Sequence, residues 1–193
     1  MRLATCLVRR FPILLISLVC PLSLYAEVPD GWHISNEASA DFEVGVTKGT
    51  NDSSVGYVRS VVDEPSGHGG FMQKISAADY RGVRLRYSGA VKTLDVEAWA
   101  GLWMRVDGPA GERLGFDNMS ERPISNSTDW GRYEIVLDVP KHAEAIAFGV
   151  LLVGAGEVQI DNLRFDGVGE DTAESAGEES EIPSKPSNLS FEE

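Results

Sequence analysis

The feature that most constrains the fold is an alternation of apolar and polar residues that recurs through the middle of the chain. In one segment Val83, Leu85 and Tyr87 alternate with polar residues, and Arg132–Val139 repeats the pattern. Successive side chains of a β-strand point to opposite faces of the sheet, so this pattern indicates strands with one buried face. Clusters of Gly, Pro, Asn and Asp separate the segments. The predicted strands are Ser54–Val62, Phe71–Ile75, Val83–Lys92, Glu97–Asp107, Arg113–Phe116, Arg132–Val139, Ala145–Val153 and Glu157–Phe165.

About eight short strands at this spacing predict an all-β fold, an antiparallel β-sandwich that is most simply a jelly roll. No segment carries a sustained apolar stripe with the helical period of about 3.6 residues. Only Ala77–Tyr80 and Lys141–Glu144 resemble helical turns. The chain has 193 residues, which is enough for one domain with a core of its own.

The first 26 residues have the pattern of a secretory signal peptide. Arg2, Arg9 and Arg10 form a basic beginning, an apolar run extends over 11–24, and Ala26 supplies the small residue before a cleavage point. The run is too short, and is broken by a proline, for a comfortable membrane span. We therefore expect cleavage after Ala26 and a secreted or periplasmic protein, with an uncleaved anchor or a lipoprotein as the alternatives.

The composition divides the rest of the chain into a domain at 27–167 and an acidic tail at 168–193. Both cysteines, Cys6 and Cys20, precede the domain, so it has no disulfide and no cysteine-bound metal. The tail holds eight acidic residues, one lysine and few large apolar residues, a composition typical of disorder. A solvated tail is the simplest interpretation, and a protein partner bound through the acidic tail is the alternative.

The charge balance argues against partners that carry negative charge. The chain has 30 acidic and 17 basic side chains and a formal net charge of −13. Binding to nucleic acid needs a basic surface for the phosphates, and docking on an anionic membrane needs one too. We therefore expect neither partner, and a transcription-factor function is excluded as well because no helix-turn-helix pattern occurs.

The strand predicted at Glu97–Asp107 is the most informative segment. Its even-numbered residues are apolar and form an ordinary core face. Its odd-numbered residues include, along one line, Trp99, Trp103, Arg105 and Asp107. One interpretation is structural, with the indoles packed under a loop and the arginine stacked over them. The other is a ligand face, where indoles stack on sugar rings and the polar groups fix orientation by hydrogen bonds.

Several motifs in one order resemble a widespread bacterial module that is often labelled a transcriptional regulator of the arabinose-operon type. The motifs are GLWMRVDG at Gly101–Gly108, FDNM at Phe116–Met119, RPI at Arg122–Ile124, DW at Asp129–Trp130 and LDVP at Leu137–Pro140. The resemblance covers about residues 30–168. It implies the galactose-binding-like jelly roll shared with many carbohydrate-binding modules, and it carries no settled activity.

Two further sets of residues are candidate sites. Asp117 and Asn118 either cap a turn or reach the pocket of Trp103 and Arg105. Galactose-binding-like modules often hold a structural Ca²⁺ where the first and last strands meet. The resemblance therefore implies a calcium site at Asp161 with Asp41 or Glu43, because oxygen ligands suit that ion. Otherwise Asp161 pairs with an arginine or caps a turn.

The leading hypothesis is an exported, non-catalytic module that binds a carbohydrate or a related small ligand. The alternatives are a calcium-assisted enzyme of the cyclase or lyase type, with Asp117 or Asp107 as the acid, and a protein-interaction module. The candidate ligand-binding residues are Trp99, Trp103, Arg105, Asp117, Asn118 and Trp130.

Overall fold

The computed structural model describes residues 28–35, 40–49 and 53–175. The predicted signal peptide and residues 176–193 of the predicted tail lie outside these ranges. Within them, no helix has the length and apolar character needed to cross a membrane.

The described part of the chain is built almost entirely of antiparallel strands. Two three-residue 3-10 helices, at Ala78–Tyr80 and Pro109–Gly111, interrupt the connections. The strands are β1 His33–Ile34, β2 Phe42–Lys48, β3 Ser54–Ser60, β4 His68–Ser76, β5 Val83–Asp107, β6 Arg113–Asp117, β7 Ile124–Val139, β8 Ala145–Val153 and β9 Glu157–Val168.

Strand β5 organises the fold because its two halves have different neighbours. Residues 99–107 pair with β8, and residues 104–107 also pair with β6. Residues 84–94 pair with β9, and residues 83–93 with β7. The strand bends between Thr93 and Val96, where the register with β7 shifts and Asp95 has a φ of 49°. Bends of this kind let one strand pass from one sheet of a sandwich to the other.

The nine strands form one hydrogen-bonded sheet that is divided at β5 into two parts, here called the first and the second sheet, and both contain part of β5. The first has the order β1-β4-β8-β5-β6 and the second has the order β2-β3-β9-β5-β7. The core lies between them. Leu102 and Met104 of β5 are fully buried there, and Tyr87 packs its ring against Phe148 and Phe165.

The predicted fold class, an antiparallel sandwich of the jelly-roll type, is confirmed, with differences at the element level. The predicted strands Val83–Lys92 and Glu97–Asp107 are one continuous strand, because residues 93–96 between them form a bend instead of a loop. Strand β7 begins at Ile124, and Lys141–Glu144 is a turn without helix. Strands β1 and β2 were not predicted.

The chain continues to contact the domain beyond the predicted boundary at 167. Residues 169–175, here called the C-terminal strap, run along the outer edge of β7. Ser175 N–H donates to Val136 O at 3.0 Å, and Val136 N–H donates to Ser175 Oγ at 2.7 Å. Asp138 N–H donates to a carboxylate oxygen of Glu174 at 2.8 Å. The strap therefore satisfies backbone groups that an edge strand would otherwise leave unpaired.

Candidate functional site

The outer face of the first sheet carries a cavity of about 260 Å³ that we call the aromatic pocket. Strands β4, β8, β5 and β6 form it, together with the residue that follows β1. Its lining residues are Ser35, His68, Gly70, Trp99, Trp103, Arg105, Phe116, Asn118, Leu151 and Val153.

At one end of the pocket, large side chains of β5 stand beside small residues of β8. In the register of the two strands, Trp103 lies opposite Gly149 and Arg105 lies opposite Ala147. A Cβ on Gly149 would lie 2.1 Å from the carbonyl oxygen of Phe71, so β4 and β8 approach each other too closely for any side chain there.

The aromatic side chains of the pocket differ in how much surface they offer. Trp103 is only 7% exposed, so a ligand meets little of its ring. Trp99 is half-buried, and Phe116 is 37% exposed. Trp103 therefore fits, in part, the interpretation in which the indoles are packed for structural reasons. Trp99 and Phe116 provide the accessible aromatic surface.

An ion-pair cluster lies beside the pocket. Arg105 donates to Asp107 from Nε to Oδ1 at 2.6 Å and from Nη2 to Oδ2 at 3.1 Å. The Nζ of Lys74, on β4, lies 3.4 Å from Oδ2 of the same carboxylate. Burial alone would raise the pKa of Asp107, but the hydrogen bonds and charges of Arg105 and Lys74 outweigh it and the pKa is lowered. An ionised carboxylate held in this way orients the guanidinium and is poorly suited to act as an acid.

The structure places Asp117 away from the pocket. It lies opposite the core residue Met104 in the β5–β6 register, and its side chain is 5% exposed. Arg122 donates to both carboxylate oxygens, at 3.2 and 2.6 Å, while Met119 N–H and Ser175 Oγ donate at 2.8 and 2.6 Å. These contacts occupy Asp117 in holding the loop and the strap, so its expected roles as a ligand contact or a catalytic acid have no geometric support.

Asn118 both caps a turn and lines the pocket. Its Oδ1 accepts the N–H of Ser120 at 3.1 Å, which is the capping role expected of an Asn in a turn. Its side chain nevertheless belongs to the pocket wall. Trp130 is 40% exposed on β7 and is absent from the wall, so it is not brought together with the other candidates.

The three residues of the predicted calcium site do not converge. Asp41 accepts the N–H and the hydroxyl of Ser66, and these bonds lower the pKa of Asp41. Glu43 accepts from Tyr57 and Arg59, and those hydrogen bonds lower its pKa. Within residues 28–35, 40–49 and 53–175, no group of three or more His, Cys, Asp or Glu side chains could hold a metal ion.

Asp161 lies elsewhere, at a cavity of about 380 Å³ beside Trp32. Its Oδ1 accepts the N–H of Asn162 at 2.6 Å, in a bulge of β9 where Asn162 has a φ of 53°. The Trp32 ring packs against Phe71 with ring centroids 4.5 Å apart, so part of its surface is engaged in the core. In this larger cavity the carboxylate of Asp161 is used in a local turn and the indole of Trp32 packs on the core. The smaller aromatic pocket, by contrast, presents a cation that is held in a fixed orientation.

Six lining residues were not predicted from the sequence: Phe116, His68, Gly70, Leu151, Val153 and Ser35. Phe116 could have been predicted, because alternation along and just beyond β6 places Phe116 and Asn118 on one face and Asp117 on the other. The rest reach the pocket through the pairing of β1 with β4, of β4 with β8 and of β8 with β5, which joins segments far apart in the chain. No local pattern indicates such a pairing.

The fold and the pocket define a jelly-roll β-sandwich with an aromatic cavity on one sheet. The chain is similar to a Bacillus subtilis (strain 168) protein described as the uncharacterized HTH-type transcriptional regulator YbfP. The two are 41% identical over 167 residues, which is 84% of this chain and 57% of the relative. The chain therefore spans little more than half the length of the curated relative that it matches. No protein-family model matches the chain.

Solved structures share the fold at low sequence identity. The CBM22-1 xylan-binding domain of Paenibacillus barcinonensis Xyn10C superposes with a TM-score of 0.51 and 13% identity, over 75% of this chain and 90% of that one. The enzymatically active domain of the bacteriophage CBA120 tailspike protein 4 superposes with a TM-score of 0.57 and 14% identity, over 72% of this chain and 20% of that one. These likenesses establish the fold alone.

Proposed function

We propose that this protein is an exported, non-catalytic module that binds a carbohydrate in the aromatic pocket. The observation that carries the proposal is the convergence of Trp99, Phe116, Asn118 and Arg105 on one cavity. Aromatic faces pack on the apolar side of a sugar ring, while amide and guanidinium groups bond its hydroxyls. The similar solved structure named a xylan-binding domain shows that the fold can serve such a ligand.

The size and the charge of the pocket support a small glycan segment. Its volume of about 260 Å³ lies below the roughly 300–1,000 Å³ of pockets for drug-sized ligands, which suits the end or one short stretch of a sugar chain. No carboxylate lines the cavity among the described residues. Catalysis by the calcium-assisted route would need a free acid and a cation site. Asp107 and Asp117 are both bound in ion pairs instead.

The described residues also disfavour a DNA-binding function, the activity that the name of the Bacillus relative suggests for that protein. No helix in the described ranges is longer than three residues, whereas a helix-turn-helix needs two full helices. The net charge of −13 is opposite to that of a phosphate-binding surface.

A glycan array followed by calorimetry tests the proposal, with Trp99→Ala as the pocket variant and Trp130→Ala as its matched control. Both substitutions remove an indole, but only Trp99 lines the pocket. We expect Trp99→Ala to weaken binding about tenfold or more, since truncating an aromatic anchor of a binding site costs about 2 kcal/mol or more, and Trp130→Ala to bind like the unmodified protein. The reverse pattern would place the site elsewhere, and an array without any bound glycan would refute the proposal.

A further inference from the structure

One arginine of this acidic protein has unused hydrogen-bond donors at a cavity. A guanidinium has five N–H donors, and Arg105 uses two of them on Asp107. No other partner of Arg105 is found in the part of the chain that the structure describes. Its side chain is 40% exposed and lines the aromatic pocket. Three oriented donors therefore remain for a ligand.

Arg84 forms a similar ion pair, and all of its other contacts are with the fold itself. It also donates to a neighbouring carboxylate from Nε and Nη2, to Asp138 at 2.7 and 2.8 Å. Its Nη1, however, donates to the carbonyl oxygens of Glu170 and Thr172 at 3.0 and 2.7 Å. The side chain of Arg84 is 17% exposed. The corresponding Nη1 edge of Arg105 has no such partner, so the sandwich leaves it available.

The local charge at this end of the pocket is positive. Arg105 and Lys74 flank Ala147 in the register of β4, β8 and β5, and both approach the carboxylate of Asp107. Two cations therefore face one anion. The protein as a whole carries 13 more acidic than basic side chains, so a positive cluster at the cavity is an exception to the general surface.

We propose that the aromatic pocket selects glycans that carry an anionic substituent, a uronate carboxylate or a sulfate, and that Arg105 binds this group through its free Nη1 edge. The inference rests on the proposed glycan-binding function. Planar guanidinium groups pair with carboxylate and sulfate oxygens through two parallel hydrogen bonds, and such charge-assisted bonds are about twice as strong as neutral ones. Asp107 is then a positioning residue that fixes the orientation of Arg105.

The test uses ligand pairs that differ only in charge. An oligogalacturonide is compared with its methyl ester, and a sulfated galactan with the unsulfated galactan, by calorimetry at low and high salt. We expect the charged member of at least one pair to bind about tenfold or more tightly, with a preference that declines as salt rises. The pair that shows the preference identifies the carboxylate or the sulfate.

Two substitutions assign the preference to the pocket. Arg105→Gln removes the charge, and Arg59→Gln is the control because Arg59 forms a similar exposed pair with Glu43 outside the pocket. Arg105→Gln should abolish the preference, Arg105→Lys should retain part of it, and Arg59→Gln should leave it unchanged. Circular dichroism checks that each variant is folded.

The outcomes separate this inference from the proposed function. If neutral and charged glycans bind equally well to the protein and to Arg105→Gln, while Trp99→Ala loses binding, the anion inference is overturned and the glycan site stands. If no glycan of either kind binds, both are overturned.

Discussion

Replacing Ser175 by alanine tests whether the C-terminal strap belongs to the folded domain. The composition of residues 168–193 predicted a disordered tail, whereas the structure gives the Ser175 hydroxyl two partners inside the domain. It donates to Asp117 Oδ2 at 2.6 Å and accepts the N–H of Val136 at 2.7 Å. Alanine removes both bonds and adds no bulk.

The size of the effect follows from these two bonds. A hydrogen bond to a charged group contributes about 1.5–3 kcal/mol and a neutral one about 0.5–1.5 kcal/mol. Ser175 lies at a partly exposed edge, where water can replace part of the loss. We therefore expect the free energy of unfolding to fall by about 2 kcal/mol. For a domain of this size that lowers Tm by about 4–8 °C.

Thermal and denaturant unfolding measure the effect, and Ser120→Ala is the matched control. Ser120 lies in the neighbouring loop, and its hydroxyl has no partner in the described ranges, so its loss should change stability by less than about 0.5 kcal/mol. A chain that ends at Gly167 loses the whole strap and should be less stable than Ser175→Ala. Amide exchange at Val136 should become faster in both variants.

The reasoning fails on one clear result. If Ser175→Ala and the chain that ends at Gly167 both unfold like the unmodified protein, with an unchanged exchange rate at Val136, the strap does not hold the edge of β7. A chain that ends at residue 180 retains all of the strap, so it controls for the effect of shortening.

Two further predictions concern the sandwich itself. Gly149→Ala should lower the free energy of unfolding by about 1–3 kcal/mol in a denaturation assay, because its Cβ would lie 2.1 Å from Phe71 O. Gly115→Ala is the control. Its Cβ would make only ordinary contacts at 3.7 Å or more, so it should have little effect in the same assay. Burial, followed by the hydrogen bond to Glu43, raises the pKa of Tyr57 from 10.0 to about 12. The unfolded chain releases this proton near pH 10 and the folded chain only near pH 12, so about 2–3 kcal/mol of stability that is present below pH 10 is lost as the pH rises between the two values. Ultraviolet absorbance of tyrosinate follows the titration, and Glu43→Gln should bring the midpoint of Tyr57 closer to its ordinary value; an unchanged midpoint would contradict the assigned contact.

The fold class and one wall of the pocket could be predicted because both depend on local alternation. A strand period of two places Trp99, Trp103 and Arg105 on one face whatever the rest of the chain does. The apolar even-numbered residues Leu102 and Met104 are in the core, as that pattern requires. The floor and the opposite wall come from long-range strand pairing, which has no local signal.

The differences between the sequence-based expectations and the structure have physical causes of the same kind. Turn preference groups Asp117 with Asn118, whereas adjacent strand residues point to opposite faces. The exposure of Trp103 also depends on neighbours that alternation does not identify. The composition of residues 168–193, taken as a whole, does not distinguish the strap, which is bonded to the domain through Ser175, from the residues that follow it.

The contacts of Asp117 connect the strap to the pocket and give this residue a structural role. The strap ends at Ser175, whose hydroxyl donates to Asp117, and Arg122 joins the two by donating to Asp117 and to the Ser175 carbonyl oxygen at 3.3 Å. Asp117 also accepts the N–H of Met119, which has a φ of 64° and is buried. Asn118 lies between these two anchored residues. Its position in the pocket wall therefore depends on a carboxylate that does not line the pocket, so loosening the strap should disturb the proposed glycan site through Asn118 while leaving the Arg105 pair intact.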